Sequence, residues 1–335
     1  MAKVGFCGSG AWGITLADMI SRNGHDVLVW SIEQDVIDAL RKNHRHPRFA
    51  EFAVDPSIQY TTELADFKDV DVIVECVTAK GFRPVCKQIK IAGLGDKPFI
   101  LTSKGIEQES GKLLVEVAED VFGGVEHLGY MSGPTLANEV MKDHPTAAVG
   151  ASMNEEIALL IKDLFESENF QIYISDDIRG VSLGGAFKNV IAIASGIADG
   201  LGFGHNTKAL IITRGLEEMK KIAKIKGARE ETCDGLAGIG DLIVTGMSNL
   251  SRNFTFGALL GKGLSTKEAK DQIKMVVEGE YTVASVHKLG KMFDLEIPIA
   301  YGVYEVIYEG KDPRQVIQEI LVKGQISAEP TPSRS

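Results

Sequence analysis

The chain has 335 residues, 44% hydrophobic and 24% charged, a composition typical of a folded globular protein with room for about two domains. Its formal net charge of −10 argues against binding to the nucleic-acid backbone. We see no secretory signal and no run of about 18 apolar residues that would predict a membrane span. The four cysteines match neither a zinc site nor a disulfide framework, so we expect reduced thiols and a cytoplasmic location.

Strands and helices alternate along the first half of the chain. Residues 3–8 and 26–30 are predicted strands, and each precedes a predicted helix, at 12–22 and 33–43. A further helix is predicted at 110–122, and further strands at 70–77, 98–103, 128–132, 146–151 and 170–175. This alternation predicts a doubly wound α/β domain of the Rossmann-like type over residues 1–180.

The second half of the chain has a different character. After about residue 176 the apolar residues follow helical spacing and strand-like runs nearly vanish. We therefore predict an all-α C-terminal domain over residues 181–325. The polar, proline-containing segment 326–335 is expected to be a disordered tail.

A glycine-rich turn follows the first predicted strand. The sequence GSGAWG places Gly8, Gly10 and Gly13 in the pattern G-x-G-x-x-G, between a strand and a helix, with a second strand soon after. In a dinucleotide site the first glycine permits the tight turn, the second admits the pyrophosphate, and the third allows helix and strand to pack closely. Ala11 and Trp12 complete the turn, and Trp12 suits either a cofactor cover or the core.

The end of the second strand leaves the choice between NAD and NADP open. An NAD site often has an acidic residue there for the ribose 2′-hydroxyl, but this chain has Ser31 and Ile32, with Glu33 slightly late. No arginine stands immediately at that point to bind a 2′-phosphate. Arg41, Lys42 and Arg45 come farther along the chain.

Two candidate substrate contacts follow later strands. Lys104 lies just past the strand at 98–103, at the edge where open α/β sheets bind ligands, although a solvated surface lysine has the same pattern. The turn SGPT at 132–135 offers exposed backbone N–H groups near Gly133 and Thr135. A plain Gly-Pro turn is the alternative.

A second glycine-rich region covers residues 235–257. Asp241 stands at a predicted helix start, and Ser251 can cap a helix that begins at Arg252. Such a capped N-terminus, with Arg252 and Asn253 in its first turn, is suited to binding an anion such as a phosphate. The alternative is a well-capped helix with exposed polar residues.

Lys188 is the one full charge near the start of the apolar helix predicted at 184–200. On a helical wheel it lies among small residues, which we expect to leave space beside the ammonium. Asp199 is about 16 Å away along the helix, too far to pair with it. Its compensating anion must come from elsewhere in the chain or from a ligand.

Several of these segments together resemble the bacterial type of NAD(P)-dependent glycerol-3-phosphate dehydrogenase. The resemblance extends over residues 3–320, in the expected order. It is carried by VGFCGSGAWG, TSKGIE, SGPTLANE, LGGAFKNVIAIASGIADGLGFG, LITRGLEEM, AGIGDLIVT, SRN and VVEG.

The resemblance implies reversible hydride transfer between NAD(P)H and dihydroxyacetone phosphate, giving sn-glycerol 3-phosphate for glycerophospholipid synthesis. Lys188 corresponds to the catalytic lysine, with Lys104 and Asp241 at the other charged active-site positions. The implied substrate contacts are Lys104, Gly133, Thr135, Lys188, Asn189, Asp241, Thr245, Ser251, Arg252 and Asn253. The implied cofactor contacts are the residues of the glycine-rich turn with Lys104, Ala137, Arg252, Val276 and Glu278.

The chain also departs from the family pattern. Ile32 stands where relatives often have a basic residue or histidine, and Lys208 where arginine is usual. A related two-domain dehydrogenase of the 6-phosphogluconate or 3-hydroxyacyl type is the nearest alternative, and a non-catalytic NAD(P)-sensing module is a more distant one. No metal cluster is expected. Apolar faces in the helical half are compatible with a homodimer.

Overall fold

The computed structural model describes residues 1–323 and divides the chain into two compact units. The first unit contains residues 1–104 and 114–182, and the second contains 105–113 and the chain from Leu183 onward. The predicted tail at 326–335 lies outside the described residues. The segment 105–113 is held in the second unit by hydrogen bonds from Lys226 Nζ to the Gly111 carbonyl (2.8 Å) and from Ser285 Oγ to the Glu107 carbonyl (3.4 Å).

One sheet of eight strands forms the centre of the first unit. The strands are β1 (Lys3–Cys7), β2 (Asp26–Trp30), β3 (Gln59–Thr61), β4 (Val72–Glu75), β5 (Phe99–Leu101), β6 (Leu128–Ser132), β7 (Thr146–Ala151) and β8 (Phe170–Ser175). Their spatial order is β3-β2-β1-β4-β5-β6-β7-β8, parallel throughout except for the antiparallel pair β6–β7. This order confirms the predicted doubly wound α/β fold, with its switch between β1 and β4.

Helices connect these strands. They are α1 (Ala11–Arg22), α2 (Gln34–Asn43), α3 (Ala79–Ile91), α4 (Leu114–Phe122), α5 (Ala137–Val140) and α6 (Glu155–Phe165), with a 3₁₀ helix at Leu64–Asp69. Val72–Glu75 is buried along its whole length, as expected for a central strand covered on both faces.

The predicted start of the helix at 110–122 was wrong. The helix begins only at Leu114, because Gly111 has a φ of +68° and the preceding segment makes a turn with an isolated bridge between Ile106 and Leu113. Sequence reasoning also missed α3, which contains Pro84. A proline within a helix removes a backbone donor and weakens the helical pattern.

The second unit is helical. After α7 (Ile178–Gly200), within which the division between the units falls, come α8 (His205–Ile225), α9 (Glu230–Cys233), a π-helical turn at Leu236–Gly240, α10 (Asp241–Gly246), α11 (Arg252–Gly261), α12 (Thr266–Ile273), α13 (Glu278–Met292), α14 (Pro298–Tyr308) and α15 (Pro313–Lys323). Within the described residues α7 alone is long and apolar enough to cross a membrane, and its apolar window is entirely buried, as in the core helix of a globular protein.

The small-residue face of α7 packs against α11. A Cβ on Gly196 would stand 2.1 Å from the Phe254 carbonyl oxygen, and one on Gly257 would stand 2.1 Å from the Ile193 carbonyl oxygen. Glycines on both helices therefore let the two backbones approach closely. This contact corrects the expectation that the small residues of α7 leave open space, since at Gly196 the space is filled by α11.

Candidate functional site

The glycine-rich turn joins β1 to α1 with the geometry that a dinucleotide pyrophosphate requires. Gly8 has a φ of +115°, and a Cβ there would stand 2.6 Å from the Cys76 carbonyl oxygen. A Cβ on Gly13 would stand 2.5 Å from the Gly8 carbonyl oxygen, whereas one on Gly10 would meet nothing within 4 Å. Gly8 and Gly13 thus serve close packing, and Gly10 faces the open side where a phosphate can reach the backbone.

The first turn of α1 is available to a ligand. Its N-cap is Gly10, which has no side chain that could cap the first N–H groups. The N-terminal N–H groups and the positive end of the helix dipole therefore suit an anion. Ala11 and Trp12 are half-buried, and Trp12 packs against the hydrophobic core of the first unit.

Lys104, Gly133 and Thr135 come together after β5 and β6. Lys104 Nζ donates to the Gly133 carbonyl oxygen at 3.2 Å, and Thr135 Oγ1 donates to the same oxygen at 3.2 Å. Lys104 is half-buried, so it is not a fully solvated surface lysine. Ala137 follows at the first residue of α5. The structure therefore gathers these four predicted residues at the carboxyl edge of two neighbouring parallel strands.

Glu75 is a buried acid that sequence reasoning missed, although it interrupts the apolar run at 70–77. It ends β4 with no exposed surface, and its Oε1 accepts from the Val77 N–H (2.6 Å) and the Ser103 hydroxyl (2.7 Å). Within the described residues its Oε2 has no hydrogen-bond partner. Burial raises the pKa of Glu75 to about 7, against the opposing effect of these hydrogen bonds. Glu75 thus joins the loop after β4 to the residue that precedes Lys104.

We expect the Glu75→Gln variant to lose a pH dependence of stability. Because the folded-state pKa lies above the ordinary 4.5, ionisation is penalised in the fold, and the free energy of unfolding falls as pH rises between these two values. From pH 4 to pH 8.5 this fall, on the order of 3 kcal/mol, should be absent in the variant. Urea unfolding at both pH values measures it, with Glu51→Gln at an exposed position as control. Equal slopes in the variant and the parent would contradict the prediction.

Lys188 projects from α7 onto Asp241 and Thr245. Its ammonium forms a buried ion pair with Asp241 Oδ1 and donates to Thr245 Oγ1 at 2.7 Å, and Thr245 Oγ1 donates to the same carboxylate at 3.2 Å. Lys188 is 7% exposed and Asp241 is 1% exposed. The anion that the apolar helix lacks is therefore Asp241, while Asp199 pairs with Lys208 at 2.7 Å.

The glycines before Asp241 allow the chain to approach α7. A Cβ on Gly184 would stand 2.3 Å from the Ala237 carbonyl oxygen, and one on Gly238 would stand 2.0 Å from the Cys233 carbonyl oxygen. The π-helical turn is thus compact and lies against α7. It delivers Asp241, the first residue of α10, to the side of α7 that carries Lys188.

The N-terminus of α11 has the predicted cap. Ser251 Oγ accepts from the Phe254 N–H at 3.3 Å, which confirms the predicted start at Arg252. Asn253 Nδ2 donates to Asn189 Oδ1 at 2.9 Å, and Asn253 Oδ1 accepts from the Gly279 N–H at 2.9 Å. This chain of amides connects α11 to the residue after Lys188 and to the start of α13.

The remaining predicted residues also belong to the second unit. Arg252 is exposed, and Val276 is 41% exposed just before α13. Glu278 is the first residue of α13 and one of the charged neighbours of Arg252. Within residues 1–323 no group of three or more His, Cys, Asp or Glu side chains is placed to hold a metal ion.

The sheet order and the glycine-rich turn define a dinucleotide-binding protein, and the lysine held on an aspartate is a group suited to proton transfer. Comparison with known proteins identifies the family. The family model described as the N-terminus of NAD-dependent glycerol-3-phosphate dehydrogenase matches residues 3–158, and the model of its C-terminus matches residues 177–318. The chain belongs to this family and is an oxidoreductase that uses NAD or NADP.

Individual relatives agree with this assignment. The glycerol-3-phosphate dehydrogenase [NAD(P)+] of Chlamydia pneumoniae is 43% identical over 321 residues, covering 95% of this chain and 96% of that protein. That of Protochlamydia amoebophila is 41% identical over 324 residues, covering 96% and 97%. The crystal structure of glycerol-3-phosphate dehydrogenase from Coxiella burnetii superposes with a TM-score of 0.92 at 34% identity, covering 96% of this chain and 99% of that one. The family-model matches set aside the 6-phosphogluconate and 3-hydroxyacyl alternatives.

Proposed function

We propose that the chain catalyses the reversible reduction of dihydroxyacetone phosphate to sn-glycerol 3-phosphate, with Lys188 as the general acid. The observation that supports this role is the buried Lys188 ammonium, held by Asp241 and Thr245. The nicotinamide, when bound, supplies or accepts the hydride. As negative charge develops on the carbonyl oxygen, the ammonium stabilises it and donates a proton. In the oxidation direction the same nitrogen receives the hydroxyl proton.

Asp241 acts as a positioning residue in this proposal. Its carboxylate accepts from the Lys188 ammonium and from the Thr245 hydroxyl, so the ammonium has a fixed direction before substrate arrives. A fixed ammonium need not reorganise as charge develops, which is the main source of electrostatic catalysis. Lys104, beside Gly133 and Thr135, is proposed as a second cation for substrate and cofactor.

The substrate phosphate is assigned to the N-terminus of α11. Its capped first turn offers free N–H groups, and Arg252 adds a guanidinium that can bind two phosphate oxygens. Asn253, Asn189 and Ser251 complete this proposed anion site. Val276, Glu278 and Ala137 are proposed as cofactor contacts, together with the glycine-rich turn and Lys104.

Steady-state kinetics of Arg252→Ala tests the phosphate assignment. Loss of a charge-assisted pair should raise KM for dihydroxyacetone phosphate about tenfold or more, with a smaller change in kcat. Lys262→Ala, an exposed cation just past the other end of α11, is the matched control and should leave both constants unchanged. Unchanged KM and kcat in Arg252→Ala would remove Arg252 from the phosphate site.

The product of the reaction suggests a metabolic role, and the cysteines suggest a cellular location. We propose that the sn-glycerol 3-phosphate formed supplies the backbone of glycerophospholipids. Cys7, Cys76 and Cys86 take part in no disulfide, which supports a reducing, cytoplasmic location.

A further inference from the structure

The segment after β2 is tied directly to the glycine-rich turn. The Ser9 hydroxyl donates to Ser31 Oγ at 2.8 Å, and the Glu33 N–H donates to the same oxygen at 3.1 Å. Ser9 and Ser31 are both buried, so this connection is shielded from water. In dinucleotide-binding folds the acidic residue about 20 positions after the last glycine binds the adenosine ribose. Gly13 and Glu33 have this separation, and Glu33 is fixed relative to the turn.

A cation from a different loop is paired with Glu33. Arg48 Nη2 lies 2.8 Å and 2.7 Å from the two carboxylate oxygens of Glu33. The two side chains are 51% and 41% exposed, so this is a surface pair, of a kind that contributes little to stability and that a ligand can rearrange. Ile32 stands where relatives often have a basic residue or histidine. Its side chain is 80% exposed and carries no charge.

The loop that carries Arg48 contains a buried histidine, His46, that lies near the glycine-rich turn. His46 is 2% exposed, and its Nδ1 accepts from the Arg48 N–H at 3.1 Å. Burial and the neighbouring Arg48 lower the pKa of His46, and the backbone of Ser9 is among the groups that act on the ring. The Arg48 backbone is thus anchored to a buried side chain, while its guanidinium remains accessible.

The other arginines near the end of β2 are engaged differently. Arg41 donates to the Tyr60 carbonyl oxygen at 2.6 Å, and Arg45 donates to the Ala50 carbonyl oxygen at 2.7 Å. Neither guanidinium is bonded to Glu33. Arg48 is therefore the arginine that the structure pairs with Glu33.

We propose that the Glu33–Arg48 pair discriminates between NAD and NADP at the adenosine 2′ position. Glu33 accepts a hydrogen bond from the 2′-hydroxyl of NAD. Arg48 leaves Glu33 to bind the 2′-phosphate of NADP, and its planar guanidinium suits the phosphate oxygens. The pair thus gives the chain one contact for NAD and one for NADP. Arg48 supplies the positive charge that is absent at position 32. This inference depends on the cofactor use of the family and not on the substrate roles proposed above.

Equilibrium binding to the free enzyme tests the pair without turnover. The dissociation constants of NADPH, NADH, 2′,5′-ADP and 5′-AMP are measured by fluorescence or calorimetry at one fixed ionic strength. Arg48→Gln should weaken NADPH and 2′,5′-ADP about tenfold or more and change NADH and 5′-AMP less than about threefold. Glu33→Gln should weaken NADH and strengthen 2′,5′-ADP, because a negative charge facing the phosphate is removed.

Arg45→Gln is the matched control, because it removes an arginine from the same loop that does not contact Glu33. It should leave all four constants unchanged. Equal weakening of NADH and NADPH in Arg48→Gln would show that Arg48 only supports the loop, and would overturn the proposal. No change in either constant would overturn it as well. Failure of the proposed reaction with dihydroxyacetone phosphate would leave these binding constants unaffected, so the two failures are distinguishable.

Discussion

Replacing Lys188 with alanine is expected to lower kcat for dihydroxyacetone phosphate reduction about 10³-fold or more, since it removes both the proton donor and the cation nearest the proposed oxyanion. The dissociation constant for the cofactor should change less than about twofold, because the glycine-rich turn is intact. The measurement combines single-turnover kinetics with equilibrium binding of NADH and NADPH. A folded variant that binds cofactor and turns over at a near-normal rate would refute the general-acid role.

The Lys188→Ala variant leaves Asp241 buried without its cation, and an unpaired buried charge destabilises a fold by several kcal/mol. A second variant, Lys188→Met with Asp241→Asn, removes both charges and keeps the length of the side chain. It should remain folded and remain as inactive as Lys188→Ala. Lys208→Met is the matched control, since Lys208 is a buried lysine paired with Asp199 in the same unit and is assigned no catalytic role. Near-normal turnover in the double variant would refute the role independently of stability.

Patterns within one segment predicted the fold well. The strand–helix alternation and the sequence GSGAWG depend on neighbouring residues, and β1, α1 and β2 were found close to their predicted bounds. Ser251 as a helix cap belongs to the same class, because capping is decided within about four residues. Lys188 and Asp199, about 16 Å apart along the helix, were correctly predicted not to pair with each other.

Contacts between distant segments could not be predicted from the residues alone. The apolar surroundings of Lys188 in the sequence showed that it needs an anion. However, Asp241 lies 53 positions away, and only the resemblance indicated that it belongs to the same site. No local sequence pattern indicated that Glu33 pairs with Arg48. None indicated that residues 105–113 belong to the second unit. The small face of α7 was misread for the same reason, since its partner α11 is remote in sequence.

Replacing Glu218 with glutamine is expected to destabilise the second unit by about 3 kcal/mol. Glu218 lies on α8 with no exposed surface, and its two oxygens accept from the Ile299 N–H (2.6 Å) and the Ala300 N–H (3.0 Å). These N–H groups belong to the first turn of α14, which begins at Pro298. The carboxyl group therefore caps a helix from another element.

The two buried acids differ in how their oxygens are used. Burial raises the pKa of Glu218 to about 8 and that of Glu75 to about 7, so a simple burial argument would predict that glutamine benefits both. However, both oxygens of Glu218 receive backbone N–H groups, whereas Oε2 of Glu75 receives none. In Glu218→Gln, the amide NH₂ would replace one of these acceptor oxygens and would face a backbone N–H of α14. Because both groups are donors, that backbone N–H would be buried without a hydrogen-bond acceptor.

Chemical denaturation and hydrogen exchange measure this effect together. Glu218→Gln should lower the free energy of unfolding and accelerate exchange of the Ile299 and Ala300 amides, which lose their acceptor. Glu217→Gln is the matched control, because Glu217 is the preceding residue of α8 and makes only a partly exposed ion pair with Lys220 at 3.4 Å. If Glu218→Gln and Glu217→Gln had equal stability and equal exchange rates, the capping role would be excluded. The hydrogen bonds from Ile299 and Ala300 would then contribute nothing measurable to stability, and the position of this buried acid beside α14 would need another explanation.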